Sequence, residues 1–319
     1  MTAERFDAII IGTGQAGPPL AVRLADTGLK IAIIERKNFG GTCVNTGCIP
    51  TKTLVASAEV AHLAHRANEF GIDISGTVKA NWKNIKARKD AIVYKASQGV
   101  EQWLKNTANI TVFQGHAKFV DNYTVIVNNK QITAEKIFIN VGARAFIPSM
   151  QGIEKINYLT NSSILDIETL PEHLIVVGGS YIGLEFAQVF RFFGSKVTVI
   201  EKAPRLIPRE DEDVSDTVLA IMNDAHIDVH LNTDCLAFSK SEQDINVHVG
   251  CENNEKTIKG SHVLMAIGQK PNTDDLGLES TDIKLDNRGI IQVDNYLATS
   301  VPNIWAIGEC KAHSTYILQ

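Results

Sequence analysis

Cys43 and Cys48 frame the run Cys43-Val-Asn-Thr-Gly-Cys48, a few residues beyond a glycine-rich turn and an acid of the kind that holds a nucleotide ribose. A thiol pair in that place can reach the reactive end of a bound dinucleotide, and the spacing therefore reads as two-electron chemistry at sulfur. Pro50 suits the first turn of a helix and Ala56 and Ala58 suit its body, so Cys48 is expected at a helix N-terminus. The partial positive charge there stabilises a thiolate and lowers its pKa. Lys52, one turn on, adds a cation on the same face. A structural zinc site wants four ligands, and no second Cys or His pair stands at metal spacing. Spacing alone leaves open two inert packing cysteines, a reading that the flanking glycines and Pro50 argue against.

The elements that must position these thiols occur twice. Asp7–Ile11 reads as a short buried strand, followed by Gly12-Thr-Gly14-Gln-Ala-Gly17, a helical stretch to Gly28, and a second strand that ends at Glu35. Gly12 allows the tight turn, Gly14 lets a pyrophosphate approach the backbone, and Gly17 lets helix and strand pack closely. Glu35 can accept from both ribose hydroxyls. Pro18 and Pro19 fall in the first helical turn, where amides lack intrahelical partners. Leu174–Val177 then begins a second copy, with Gly178-Gly-Ser180-Tyr-Ile-Gly183, an apolar helix, and a strand ending at Glu201. The same 23-position interval separates Gly12 from Glu35 and Gly178 from Glu201. One glycine-rich turn need not hold a nucleotide, but two at equal spacing make that reading improbable. Ser180 replaces the second glycine and is expected to crowd the pyrophosphate. Glu201 favours NADH, because a carboxylate pairs with a free 2'-hydroxyl and repels a 2'-phosphate; nearby Lys202 and Arg205 blur that preference.

At 319 residues the chain exceeds the size at which one core usually stops growing, roughly 250–300 residues. The periodicity predicts a helix over 82–104 and a strand meander over 110–140, then an exit strand and crossover. A return strand over 262–271 and one more strand over 297–309 follow the second copy. The expected fold is α/β: two Rossmann-like dinucleotide-binding domains, the second inserted into the first, with boundaries at 1–150, 151–270 and 271–319. A net charge of -5 and the absence of a basic run interleaved with aromatics argue against nucleic acid. No apolar stretch approaches the ~18 residues of a membrane span, and the apolar start reads as the fingerprint rather than a signal peptide. A cytoplasmic protein is expected. Five scattered cysteines do not form a secreted framework, and Cys235, Cys251 and Cys310 read as incidental.

GTGQAG with Glu35, GGTCVNTGCIPTK, INVGARAFIP, GGSYIGLEFA with Glu201, AIGQKPN and IWAIGEC occur in an order that resembles the flavin-dependent pyridine nucleotide-disulfide oxidoreductases. That group includes dihydrolipoamide dehydrogenase, glutathione reductase and mercuric reductase. The resemblance covers nearly the whole chain, and CVNTGCIPTKTLVASA is most similar to the mercuric reductase-like branch. It implies FAD on Gly12, Gly14, Gly17 and Glu35, and NADH on Gly178, Gly183 and Glu201. Gly41, Thr42, Gly142, Gly268, Gly308 and Glu309 lie in matched motifs and are read as cofactor-binding, with no metal site. The resemblance also implies a redox disulfide: Cys48 as the charge-transfer thiolate against the flavin, and Cys43 as the outer thiol that meets a small disulfide or metal-ion substrate. Lys52 is expected to approach the flavin and pair with Glu185, and Tyr181 to cover the nicotinamide pocket. On the residues alone, Lys52 and Glu185 read as a surface pair and Tyr181 as a packed aromatic.

The resemblance ends at Cys310, with Glu309 where the family has Asp. The family continues into a C-terminal dimerisation domain, which supplies a His-Glu pair across a homodimer. Lys311–Gln319 matches none of it, and His313 reads as a solvated side chain. The expectation is a truncated, impaired NAD(P)H-dependent flavoprotein reductase without the homodimer's interface domain. The alternative is a non-catalytic remnant or a nucleotide-binding module.

Overall fold

A computed structural model of the chain describes residues 3–234, 236–242, 244–250 and 256–311. Cys235, Cys251 and His313 lie outside the described residues. In chain order the elements are β1 (Glu4–Ile11), α1 (Gly17–Ala25), β2 (Ile31–Glu35), α2 (Gly41–Asn45), α3 (Cys48–His65), α4 (Trp82–Asn106), β3 (Ile110–Gln114), β4 (Ala117–Phe119), β5 (Thr124–Val127), β6 (Lys130–Ile139) and β7 (Ala143–Ala145). Then come β8 (His173–Val177), α5 (Tyr181–Phe192), β9 (Lys196–Ile200), α6 (Glu212–Asp224), β10 (Asp228–His230), β11 (Leu236–Ser241), β12 (Asp244–Val249), β13 (Lys256–Gly260), β14 (His262–Met265), β15 (Gln269–Pro271) and β16 (Ile304–Ala306), with short 3-10 turns between.

The chain forms two compact units: one runs to Ile49 and includes Ala91–Arg144 and the stretch from Gln269, and the other contains Pro50–Asp90 and Ala145–Gly268. In the first unit the sheet order is β3-β2-β1-β6-β5-β4, with β16 also on β6. Strands β3, β2, β1, β6 and β16 run parallel. Ile9, Ile10, Ile31, Ile33 and Ile137 are fully buried, as continuous apolar strands must be when both faces of a parallel sheet are covered. The predicted meander over 110–140 is only partly one: β4, β5 and β6 are antiparallel, but β3 pairs in parallel with β2. Alternation along a strand records which face is buried and carries no information about the partner's direction. The pairing of β16 with β6 returns the last strand to the first sheet.

The second unit repeats the nucleotide-binding half, with parallel sheet order β10-β9-β8-β14 matching β3-β2-β1-β6, and adds an antiparallel sheet, β11-β12-β13. Residues 50–90, placed by the sequence reading in the first domain, pack inside this unit. Leu54, Ala58 and Trp82 share a core with Phe186 and Phe190. The Trp82 ring lies 5.6 Å from that of Phe190, and its indole N–H donates to the Ile167 carbonyl at 2.9 Å. No helix among the described residues is long and apolar enough to cross a membrane.

Candidate functional site

The first fingerprint turn links β1 to α1. Gly12 has φ +103°, and a Cβ there would fall on the Asn140 carbonyl oxygen. Only glycine fits that approach. A Cβ on Gly14 would stand 2.6 Å from Asn140 Oδ1, and one on Gly17 would strike the Gly12 carbonyl. Glu35 closes β2 with a carboxylate only 8% exposed. Its Oε2 accepts from the Thr13 amide at 3.1 Å and the Thr13 hydroxyl at 2.5 Å, and its Oε1 accepts from the Lys37 amide at 2.8 Å.

The second copy is built alike. A Cβ on Gly178 would fall on the Ala266 carbonyl, and Glu201 accepts from the Gly179 amide at 2.5 Å and the Ala203 amide at 2.8 Å. In both copies the strand-ending acid is therefore held by the amide after the first glycine and by the amide two residues beyond itself. Helices α1 and α5 begin at Ala16 and Ser180 without a side-chain cap. At α5 the uncapped first-turn amides can meet an anionic group; in α1 Gly17 donates its amide to the Gly14 carbonyl at 3.0 Å, so there an anion is met by the backbone of the glycine turn itself. Prolines at the start of α1 remove donors from the first copy.

The thiols are carried by two successive helices. Gly40 and Gly41 take φ of +96° and +64°, and a Cβ on Gly41 would lie 2.7 Å from Gly14 Cα, so α2 starts in contact with the fingerprint turn. Gly40 donates its amide to the Thr13 hydroxyl at 3.2 Å, and Asn45 donates to the carbonyls of Phe39 and Gly41 at 2.9 Å. Cys43 on α2 and Cys48, the first residue of α3, form a disulfide with Cα atoms 4.6 Å apart. Both are half-buried. Lys52 in the second turn of α3 makes an ion pair and hydrogen bond with Glu185 of α5. Tyr181, at the start of α5, donates its hydroxyl to Glu210, and that bond pushes the phenol pKa up.

The remaining predicted positions sort by unit. Thr42 lies in the first turn of α2. Gly142, Gly268 and Gly308 have φ of +62°, +130° and +79°. Gly142 accepts from the Asn272 amide at 3.0 Å, and a Cβ on Gly308 would come 3.8 Å from Asn140 Nδ2. Burial pushes the Glu309 carboxyl up. The structure thus joins Gly12, Gly14, Glu35, Gly41, the cysteine pair and Gly308 in one unit, and Gly178, Gly183, Glu201 and the Lys52–Glu185 pair in the other. Sequence reasoning missed Thr13, which grips Glu35, and Asn140, which covers two glycines. Asn140 stands in the INVG motif, but nothing in the motif says where its side chain goes. Among the described residues no group of three or more His, Cys, Asp or Glu could hold a metal ion.

The family described as pyridine nucleotide-disulphide oxidoreductase matches residues 6–317, so the match runs past Cys310, where the motifs alone end it. The chain is 38% identical over 313 residues to the probable pyridine nucleotide-disulfide oxidoreductase RclA of Escherichia coli, covering 96% of this chain and 66% of that protein. It is 33% identical to the dihydrolipoyl dehydrogenase of Acholeplasma laidlawii, covering 96% of this chain and 90% of the relative. With the mercuric reductase of Lysinibacillus sphaericus it shares 31% identity, covering 96% and 56%. The chain therefore spans from about half to nine-tenths of the length of these relatives. The solved Cu(II) complex of the HOCl-induced flavoprotein disulfide reductase RclA superposes with a TM-score of 0.86 at 35% identity, over 99% of this chain and 68% of that one.

Proposed function

The chain belongs to the pyridine nucleotide-disulphide oxidoreductase family, and from that premise we propose that it passes an electron pair from NADH, through FAD, into the Cys43–Cys48 disulfide. A small disulfide or a thiol-binding metal ion then receives the electrons, in a cytoplasmic setting that keeps thiols reduced. FAD is assigned to Gly12, Gly14, Gly17 and Glu35, with Gly41, Thr42, Gly142, Gly308 and Glu309 around it. NADH is assigned to Gly178, Gly183 and Glu201, with Gly268 and Tyr181. The close-approach glycines of both turns, the uncapped start of α5 and the matching grip on Glu35 and Glu201 support both assignments. NADH is preferred over NADPH because Glu201 repels a 2'-phosphate, while Arg205 lies 3.8 Å from Glu212.

Bound flavin supplies the two-electron relay between a reduced nicotinamide and a disulfide. Cleavage of the Cys43–Cys48 bond takes up two electrons and one proton, leaving a thiol at Cys43 and a thiolate at Cys48. The N-terminus of α3 favours that charge at Cys48. Lys52, its ammonium held by Glu185, adds a cation on the same helix. Cys43, deprotonated, then attacks a substrate disulfide and releases one thiolate; Cys48 attacks Cys43 and releases the second, re-forming the internal bond. The net change is NADH, a proton and a disulfide converted to NAD and two thiols. Tyr181, through its bond to Glu210, covers the nicotinamide site until the dinucleotide enters.

The observation that carries this reading is the disulfide between α2 and the first residue of α3, in a loop whose Gly41 abuts the fingerprint turn. Anaerobic NADH added to the FAD-loaded protein is expected to produce a long-wavelength absorbance that Cys48→Ala abolishes. Survival of that absorbance in Cys48→Ala would remove Cys48 from the assigned role.

A further inference from the structure

Asn140 follows the last residue of β6 and is 7% exposed. Its backbone amide donates to the Ile11 carbonyl at 2.8 Å, whereas its carboxamide has no hydrogen-bond partner among the described residues. Among the described residues the buried side-chain atoms without a partner are Ser215 Oγ and Asn246 Oδ1, so the Asn140 carboxamide keeps accessible atoms and is open to a ligand. Two glycine turns open onto it. A Cβ on Gly14 would lie 2.6 Å from its Oδ1, and a Cβ on Gly308 would lie 3.8 Å from its Nδ2. The amide thus stands between the fingerprint turn and the last glycine turn of the first unit.

The second nucleotide-binding copy serves as an internal comparison. Asn140-Val-Gly142 corresponds to Ala266-Ile-Gly268, and in both copies the carbonyl of the first residue covers the first fingerprint glycine. At the second glycine position the sizes are exchanged: Gly14 accompanies Asn140, and Ser180 accompanies Ala266. The volume that a side chain would occupy at position 14 is taken by the amide, which places a polar group in the first copy where the second has a methyl.

We propose that Asn140 is a binding residue for the diphosphate linker of FAD, its carboxamide N–H donating to a phosphate oxygen between the turns of Gly14 and Gly308, and that Gly14 is glycine to leave room for it. The proposal rests on the assignment of the first copy to FAD made above. Phosphate oxygens accept hydrogen bonds and donate none, so Asn140→Ala removes a donor and Asn140→Asp sets a negative charge against a diphosphate.

The test is a titration of flavin-stripped protein with FAD, read by quenching of flavin fluorescence, with NADH binding to the same samples measured in parallel. Asn140→Ala is expected to weaken FAD binding by about 10-fold or more, the worth of a hydrogen bond to a charged group, and Asn140→Asp to weaken it further. NADH affinity is expected to stay within twofold of wild type. Should Asn140→Ala fold poorly, Gly14→Ser combined with Asn140→Ala reproduces the pairing of the second copy and is expected to fold while binding FAD weakly. Wild-type FAD affinity in Asn140→Ala or in the double variant would overturn the inference and leave the flavin assignment standing. So would undiminished binding by Asn140→Asp, which would make the partner a ribityl hydroxyl. Failure of the wild-type protein to bind FAD at all would refute the assignment itself, and the inference with it.

Discussion

Two cysteines sit in opposite environments. Cys48 begins a helix, where the peptide dipoles favour a thiolate, whereas Cys310 is fully buried and donates weakly to the carbonyls of Ile139 and Ile307. Burial pushes the Cys310 thiol up to about 11 from an ordinary 9.0. Between those values the unfolded chain has released its proton and the folded protein has kept it, so stability falls as pH rises from 9 towards 11, by about 2–3 kcal/mol in all. Chemical denaturation at successive pH values should show this decline, and Cys310→Ala, less stable throughout, should flatten it. An unchanged slope in that variant would show that another group titrates. At this scale the sequence was legible wherever a residue's partner lies close along the chain. The Cys43/Cys48 pair and the acids Glu35 and Glu201 were read from local spacing, but Asn140 was not, because β6 brings it to Gly12 and Gly14 from more than a hundred residues away.

Helix α2 is short, and what fixes it is contact at its first residue. Gly41 and Gly142 both have left-handed φ, +64° and +62°, so an alanine at either carries the same backbone strain, about 1–2 kcal/mol. Only at Gly41 does the added Cβ meet backbone, 2.7 Å from Gly14 Cα; at Gly142 nothing lies within 4 Å. Gly41→Ala is therefore expected to lower unfolding stability by roughly 1–3 kcal/mol more than Gly142→Ala, the usual cost of overpacking. Equal losses would mean that α2 does not rest on the turn. Strands and helices were readable from Ile- and Val-rich runs and from the 3.6-residue period, which gave α4 and the repeated strand-turn-helix-strand units. The parallel pairing of β3 was not readable. Nor was the allegiance of Pro50–Asp90, since an apolar stripe states that something covers it without naming what.

On the scale of the whole molecule, one nucleotide-binding architecture is used twice, with the same strand order and the same grip on the ribose acid, and the second copy interrupts the first. The repeat was visible in the sequence because glycine turns and acids recur at one interval. The interruption was inferred from leftover strands at the end and is matched by the pairing of β16 with β6. Under the proposed function the labour is divided: the second copy holds the nicotinamide donor, and the first holds the flavin that feeds the Cys43–Cys48 bond. The most direct test follows those sulfurs: FAD-loaded protein is treated anaerobically with one equivalent of NADH, alkylated, unfolded, and analysed by peptide mass spectrometry. The account predicts that Cys43 and Cys48 become alkylated together, and that they stay bridged when FAD is left out. Consumption of NADH by the loaded protein with the Cys43–Cys48 bond still intact would contradict it.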